Sequence, residues 1–249
     1  MDAVTPWAGQ TVEAPAKLTL SLRITGVRGD GYHLLDAEMV SIDLADSLLF
    51  SPGEGLEVVD EVGGLGSVLT VPAGGDNLVA RALAVVGRSA HVRLVKRIPT
   101  GAGLGGGSAD AAAVLRWAGV ADAAVAVALG ADVPFCVAGG RARVTGVGEV
   151  VESLACEAGA AYTLLTPPFA VSTVAAYRAW DRLGGPTGDG PNDLEPAALA
   201  VQPALATWRD RLGDATGITP VLAGSGSTWW VPGAFPEVAG AVVARAICP

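Results

Sequence analysis

The sequence predicts an α+β fold, in which strands and helices mix without a regular strand–helix–strand repeat. Strand-type alternation is clear from Lys17 to Ile24, where four apolar residues alternate with four polar ones. A helical apolar stripe follows Asp76, and a glycine-rich loop lies between a strand and a helix near residue 100. This irregular order favours an α+β sandwich over a doubly wound parallel sheet.

The predicted elements follow one another along the whole chain. Asp76 and Ser108 are predicted helix N-caps, and Pro99 ends the strand that precedes the glycines. The run from Gly184 to Pro191, rich in glycine and proline, is a predicted linker. In chain order the predictions are strands at Lys17 to Ile24 and Met39 to Leu44, a helix from Asp76 to Val86, a strand at His91 to Arg97, a helix from Ser108 to Trp117, strands at Arg141 to Thr145 and Tyr162 to Leu165, a helix at Val174 to Arg182, two more helical stretches, and a strand ending in Gly224 to Ser227.

The composition argues against a membrane protein, although 51% of the 249 residues are hydrophobic. The best uninterrupted apolar stretch, Ala123 to Ala131, is far shorter than the roughly 20 residues that cross a bilayer. The first ten residues have neither the basic cluster nor the apolar core of a secretion signal. We therefore expect a cytoplasmic protein.

The formal net charge of −9 argues against partners that are broadly anionic, such as nucleic acids and anionic membranes. A small anionic ligand is compatible with this charge, because a glycine-rich loop can hold phosphate through backbone N–H groups alone. The three cysteines, Cys136, Cys156 and Cys248, have no CxxC spacing and are predicted to be reduced thiols. No cluster of His, Cys or carboxylate residues has metal-ligand spacing, so no protein-held metal is predicted.

The glycine-rich loop is the strongest chemical signal in the sequence. Glycines let the backbone approach a ligand, and N–H groups at the start of a helix favour phosphate. The alternatives are a flexible surface loop and the GxGxxG spacing of dinucleotide-binding folds, which Gly101, Gly103 and Gly106 satisfy. The dinucleotide reading lacks a buried apolar strand before the loop, and no Lys follows the glycines as a Walker loop requires. The predicted phosphate-binding residues are Pro99, Thr100, Gly101, Ala102, Gly103, Leu104, Gly105, Gly106, Gly107, Ser108 and Ala109.

Four segments, taken together and in order, resemble the GHMP kinases. Arg28 to His33 and Gly130 to Phe135 further resemble the branch that phosphorylates a cytidine-diphosphate-linked sugar alcohol, rather than the mevalonate, galactose or homoserine kinases, and Asn192 to Glu195 adds support. The four shared segments are Ala14 to Leu20, Pro99 to Asp110, Gly130 to Phe135 and Gly224 to Thr228.

The resemblance implies a two-lobed α+β fold with a ligand cleft between the lobes. Residues 1–153 would form an ATP-binding lobe like domain 2 of ribosomal protein S5, and residues 154–249 a ferredoxin-like lobe. The resemblance also implies that ATP is the phosphoryl donor, that magnesium binds together with the nucleotide, and that the acceptor is a small-molecule alcohol. We expect a monomer or a weak homodimer without nucleic-acid or membrane partners.

The catalytic roles are likewise implied by the resemblance. Asp132 matches the aspartate that takes or orients the hydroxyl proton, and Lys17 the lysine that stabilises the developing charge. Without the resemblance, Lys17 would be a surface charge and Asp132 a turn residue.

The residues expected to bind the acceptor come from several segments. Tyr32 and His33 match positions that hold a cytosine, with Tyr177 as a second aromatic face. A structural turn histidine and a partly buried tyrosine are the alternatives for His33 and Tyr177. The other predicted acceptor-binding residues are Thr19, Gly224 and Ser225.

Thr19 is a departure from the family, which commonly has Asn at this position. Threonine is shorter and lacks the amide donor pair. Two alternative functions stay open from the sequence: a GHMP kinase acting on a different alcohol, and a family member that binds nucleotide without turnover.

Overall fold

The structure, a computed structural model, describes residues 9–62, 74–187 and 190–248. These residues form a six-stranded sheet, a four-stranded sheet and seven helices, which confirms the α+β prediction. The strands are β1 (Gln10–Val27), β2 (His33–Ser51), β3 (Gly55–Asp60), β4 (His91–Lys96), β5 (Arg141–Gly146), β6 (Val150–Ser153), β7 (Ala161–Leu165), β8 (Val221–Leu222), β9 (Trp229–Pro232) and β10 (Ala241–Arg245). The helices are α1 (Leu78–Val85), α2 (Gly106–Ala118), α3 (Ala123–Leu129), α4 (Val133–Ala138), α5 (Thr173–Arg182), α6 (Glu195–Val201) and α7 (Leu205–Thr216).

The first sheet is built on the long hairpin of β1 and β2. Its order is β3-β4-β2-β5-β6, with β1 also paired to β2, and only β3 and β4 are parallel among these described strands. β1 is longer than predicted because β2 pairs with it from end to end. Four consecutive residues of β1, Ala16 to Thr19, are buried, because the turns at Gly105 and Gly224 cover the polar face, so Lys17 and Thr19 are not on a solvent face.

The second sheet is entirely antiparallel among its described strands, in the order β10-β7-β9-β8. Trp229 is fully buried in its core beside Leu205 and Leu212, which come from α7. The proposed lobe boundary after residue 153 lies where β6 ends, and the second sheet begins with β7.

A short segment before α6 ties the two sheets together. The backbone of Leu22 in β1 accepts a hydrogen bond from the N–H of Asp193 and donates one to the carbonyl of Pro191, at 2.9 and 2.8 Å. The buried Asp193 carboxylate also accepts from the N–H of Ile24 at 2.9 Å and pairs with Arg23 at 2.7 Å. Strand β1 is therefore held by both halves of the molecule.

The glycine-rich loop packs against the turn that follows β8 through backbone atoms. Gly103 has φ of +80°, and a Cβ atom there would overlap the carbonyl oxygen of Ala223 and lie 2.9 Å from that of Gly226. The N–H of Thr228 donates to the carbonyl of Ala102 at 3.1 Å. Only glycine fits this crossing, because the two backbones leave no room for a side chain.

A buried charge cluster lies beneath the glycine-rich loop. Lys96, at the end of β4, binds the carboxylates of Asp46 and of Asp110, the latter at 2.7 Å. Burial and the neighbouring Asp46 raise the pKa of Asp110 to about 7 against the pull of Lys96. Burial lowers the pKa of Lys96, but the attraction of Asp110 and Asp46 outweighs it and the net pKa is raised. The cluster joins β2, β4 and α2 under the loop.

Two of the predicted helix caps are wrong. The N-cap of α1 is Asn77, whose side chain accepts from the N–H of Val79 at 2.8 Å, and not Asp76. The N-cap of α2 is Gly105, in the left-handed conformation and without a side-chain cap, so Ser108 lies inside the first turn. The helix begins earlier than predicted because glycine at 105 can adopt the positive φ that joins loop to helix.

The prediction of three reduced thiols is wrong for two cysteines, because Cys156 and Cys248 form a disulfide. The segment after β10 returns beside the segment before β7, where the N–H of Ala246 donates to the carbonyl of Ala160 at 2.8 Å. This places the two Cα atoms 5.9 Å apart, within the range that a disulfide spans. Cys136 is a free, buried thiol, and burial together with the nearby Asp132 raises its pKa to about 12.

The helices are short. The apolar stretch at Ala123 to Ala131 contains α3, which has seven residues. In the parts of the chain that the structure describes, no helix has the length and apolarity needed to cross a bilayer. The predicted linker at Gly184 to Pro191 includes residues 188 and 189, which lie outside the described residues.

We predict that Asp110→Asn changes the pH dependence of stability. Between pH about 4 and about 7 the folded chain holds a proton on Asp110 that the unfolded chain has released, so this group makes folding less favourable as pH rises. The Asn variant lacks this titration. Relative to the native protein, its free energy of unfolding should therefore rise from pH 4 to pH 7 and level off above that, as measured by urea unfolding at a series of pH values. Parallel stability curves for the two proteins would contradict the assignment.

We predict that Gly103→Ala lowers the free energy of unfolding by at least about 2 kcal/mol, because it combines a strained φ with a clash against a backbone carbonyl. Gly119→Ala is the matched control: Gly119 has φ of +72° and open space around its Cβ position, so it carries the strain alone. The difference between the two variants in free energy of unfolding, measured by denaturant unfolding, gives the cost of the clash alone. Equal losses would mean that the loop crossing tolerates a methyl group.

Candidate active site

A cavity of about 500 Å³ opens where the glycine-rich loop, β1, α4 and the turn after β8 meet. Lys17 and Asp132 line it, together with Gly224 and Ser225 and most of the loop from Pro99 to Ser108. The structure therefore brings the predicted catalytic pair and the predicted phosphate loop to one cavity.

The glycine-rich loop presents backbone N–H groups to this cavity. Gly101, Gly103 and Gly105 all have positive φ, which turns the chain directly into α2. The first N–H groups of a helix have no partner within the helix, and the helix dipole adds positive potential there. Gly106, Gly107 and Ser108 form this first turn and line the cavity. The arrangement suits an anion such as phosphate.

Two residues of the predicted phosphate loop do not line the cavity. The side chains of Leu104 and Ala109 are buried in the hydrophobic core. The N–H of Ala109 donates to the carbonyl of Gly105 as the first bond of the helix, so it is not available to a ligand. Ser108, by contrast, lines the cavity, and it is not the N-cap of α2 as predicted.

Lys17 and Asp132 form an ion pair at the edge of the cavity. The Nζ atom of Lys17 lies 3.3 Å from Oδ2 of Asp132, and the two side chains are 5% and 32% exposed. Lys17 comes from β1, and Asp132 is the residue before α4. The pair joins a buried cation to a carboxylate that a ligand can reach. Its catalytic role stays a prediction.

Lys17 is enclosed by the two glycine turns. A Cβ atom at Gly105 would lie 2.8 Å from Cγ of Lys17, and one at Gly224 would lie 3.1 Å from its Nζ. The backbone N–H of Lys17 also donates to the carbonyl of Leu104 at 3.0 Å. The small residues at both positions therefore leave the space that this side chain occupies.

Thr19, a predicted acceptor-binding residue, is not among the residues that line this cavity, and its contact with the acceptor stays a prediction. Its side chain is buried, and its hydroxyl accepts a hydrogen bond from Nζ of Lys17 at 3.0 Å. Lys17 and Thr19 are two residues apart in β1 with no register shift between them, so their side chains lie on the same face of the strand. In this chain Thr19 positions the lysine.

A second cavity, of about 480 Å³, adjoins the first. Tyr32, His33 and Tyr177 all line it, and Tyr177 also lines the first cavity. Tyr32 is 62% exposed, with the guanidinium of Arg28 above its ring at 5.5 Å. Burial and the nearby Asp132 raise the pKa of Tyr177 well above its usual value, so its phenol stays protonated. The base-binding roles of these rings stay predictions.

Three residues make polar contacts around the cavities that were not predicted from the sequence: Asp181, Thr173 and Asn192. Asp181 contacts His33, and Thr173 bonds to Ser225 at 2.9 Å between their hydroxyl oxygens. The buried Asn192 donates from its amide to the carbonyls of Leu222 and Gly224, at 2.8 and 2.7 Å, which fixes the turn after β8. For Asp181 a signal existed, since it lies four residues after Tyr177 on a predicted helix.

Within residues 9–62, 74–187 and 190–248, no group of three or more His, Cys, Asp and Glu side chains could hold a metal ion. Among the oxygen-bearing side chains that line the cavity are those of Asp76, Asp132 and Ser108. These can complete the coordination of a cation that arrives with ligand phosphates.

Comparison with known proteins agrees with this geometry. Residues 77–140 match the family model described as the GHMP kinases N terminal domain. The chain is 38% identical to 4-diphosphocytidyl-2-C-methyl-D-erythritol kinase of Paracoccus denitrificans, over 94% of this chain and 89% of that protein. It is 37% identical to the same-named protein of Paramagnetospirillum magneticum, over 95% and 92%.

Solved structures agree in fold. The crystal structure of a 4-(cytidine 5'-diphospho)-2C-methyl-D-erythritol kinase superposes with a TM-score of 0.74 at 33% identity, covering 95% of this chain and 98% of that one. A homoserine kinase from Cytophaga hutchinsonii, at 17% identity and a TM-score of 0.60 over 100% and 97% of the two chains, shares the fold. The family model, the relatives and the site geometry agree, and the chain belongs to the GHMP kinases and, among them, to the 4-diphosphocytidyl-2-C-methyl-D-erythritol kinase family.

Proposed function

We propose that the chain transfers the terminal phosphoryl group of ATP to the 2-hydroxyl of 4-diphosphocytidyl-2-C-methyl-D-erythritol. The observation that carries the proposal is the Lys17–Asp132 pair, which opens on the same cavity as the phosphate-suited first turn of α2. The names of the relatives support this acceptor.

The donor side is supported by the backbone of the glycine-rich loop. Its N–H groups and the α2 dipole would hold the phosphate chain without any lysine from the loop itself. ATP supplies the phosphoryl group, and the magnesium ion expected with it neutralises phosphate charge. Ser108 is the loop hydroxyl that would contact a β-phosphate oxygen or that ion.

The transfer needs a group that takes the hydroxyl proton and a cation near the transferring oxygens. Asp132, partly exposed, would accept the proton from the acceptor hydroxyl. Lys17 would stabilise the forming alkoxide and the phosphoryl oxygens. Thr19 and the two glycine turns would hold Lys17 in this position.

The acceptor side is supported by the second cavity, whose aromatic walls suit a pyrimidine base. Because Tyr177 lines both cavities, a ligand with its base in the second can present a hydroxyl to Asp132 in the first. The presence of Thr19 where the family commonly has Asn does not favour a non-catalytic protein, since the threonine hydroxyl accepts a hydrogen bond from Lys17, which lies beside Asp132.

The proposal is tested with a coupled ADP-release assay on three alcohols: 4-diphosphocytidyl-2-C-methyl-D-erythritol, mevalonate and homoserine. We expect turnover with the first alone. Asp132→Asn should lower kcat by about 100-fold or more with little change in the KM for ATP, because it removes proton transfer and leaves the phosphate loop intact.

Asp214→Asn, an exposed carboxylate outside both cavities, is the matched control and should behave as the native protein. Thermal melts establish that both variants fold. Full activity of a folded Asp132→Asn variant would refute its role. Turnover of mevalonate or homoserine in place of the cytidylyl substrate would refute the proposed acceptor.

A further inference from the structure

One face of α5 supplies three side chains that contact His33, a residue that lines the second cavity. Tyr177, Trp180 and Asp181 are spaced by three and four residues, so they lie on the same side of the helix. The ring of His33 lies against all three. Its centroid is 4.7 Å from that of Tyr177 and 5.4 Å from that of Trp180, which meets it edge-on.

The imidazole of His33 is held at one nitrogen by a carboxylate. Its Nε2 atom lies 2.8 Å from Oδ1 of Asp181, and the two side chains are 11% and 49% exposed. Trp180 is itself fixed, because its indole N–H donates to the carbonyl of Pro186 at 3.0 Å. Gly185 packs against the Trp180 ring, where a Cβ atom would come within 2.9 Å. The ring of His33 is therefore restrained from two sides and by a hydrogen bond.

The partner of Nε2 determines what the other nitrogen can do. A carboxylate only accepts hydrogen bonds, so the proton lies on Nε2 and a neutral ring has its lone pair on Nδ1. Within the described residues, the hydrogen bond of the His33 ring to the protein is made at Nε2 and not at Nδ1. An acceptor on the wall of this cavity is thus left for a ligand.

We propose that Asp181 is a positioning residue that keeps Nδ1 of His33 an acceptor, and that it thereby selects a base with an exocyclic amine, such as cytosine, over one with a carbonyl at that position, such as uracil. The inference rests on the proposed function and concerns the acceptor half of the same site. An amine at position 4 donates to Nδ1, whereas a carbonyl there would face its lone pair. Tyr32 and Tyr177 could stack on either base, so stacking alone would not discriminate.

The test measures binding of CDP and of UDP by calorimetry, on protein saturated with a non-hydrolysable ATP analogue so that neither diphosphate occupies the glycine-rich loop. We expect the native protein to bind CDP about tenfold or more tightly than UDP, as one well-placed hydrogen bond and one avoided repulsion imply. Asp181→Asn should bring the ratio of the two Kd values close to one, because an amide can accept from or donate to Nε2 and so permits both tautomers.

Two control variants test whether the change in the CDP-to-UDP ratio is specific to Asp181 and acts through His33. Asp210→Asn, an exposed carboxylate on α7 paired with Arg209, should keep the native ratio. In a His33→Gln background, Asp181→Asn should cause no further change in the ratio, since Asp181 acts through the imidazole.

The inference is overturned if the native protein shows no preference for CDP, or if Asp181→Asn keeps that preference. It is also overturned if the variant weakens CDP and UDP equally, as a purely structural role would, or changes the ratio equally without His33. Failure of the proposed function is separate: a native protein that prefers CDP but does not phosphorylate the cytidylyl alcohol refutes the kinase proposal and leaves the base selection standing.

Discussion

The site depends on the backbone contact between the glycine-rich loop and the turn after β8. At Gly103 the two chains cross so closely that a single methyl group would overlap a carbonyl oxygen. Asn192 holds one side of the crossing through the carbonyls of Leu222 and Gly224, and the cluster of Lys96, Asp46 and Asp110 supports the other from below. The space between the turns is filled by one side chain, Lys17, whose Nζ atom is thereby placed beside Asp132. The packing of the two turns therefore also fixes the position of the Lys17 ammonium group.

Much of this was predictable from the sequence because it depends on local patterns and on backbone. The α+β class followed from strand and helix periodicities, and the glycines before α2 indicated a phosphate site from their conformational freedom. The resemblance to GHMP kinases predicted a role for Lys17 and Asp132, which are 115 residues apart in the sequence. In the structure, Nζ of Lys17 lies 3.3 Å from Oδ2 of Asp132. No periodicity could have paired them. Their proximity comes from the packing of α4, whose N-cap is Asp132, against β1.

What the sequence did not predict depends on tertiary contacts. Ser108 matches a helix cap by residue type, but a left-handed glycine at 105 starts the helix one turn earlier. Cys156 and Cys248 have no suggestive spacing, and only the return of the last strand brings them together. The buried charges under the loop and the contact of Asp181 with His33 each join segments far apart in sequence. The acceptor-binding role of Thr19 is implied by the resemblance alone, and the burial of its hydroxyl against the Lys17 ammonium group could not be predicted from the sequence.

The central claim is that backbone amides between Thr100 and Ser108 hold a nucleoside triphosphate beside Lys17 and Asp132. Hydrogen–deuterium exchange with and without a non-hydrolysable ATP analogue and magnesium tests it most directly. The account predicts slowed exchange in peptides that cover this loop and the first turn of α2, in the native protein and equally in Asp132→Asn. Unchanged exchange in the loop under saturating analogue, with protection confined to other segments, would contradict it.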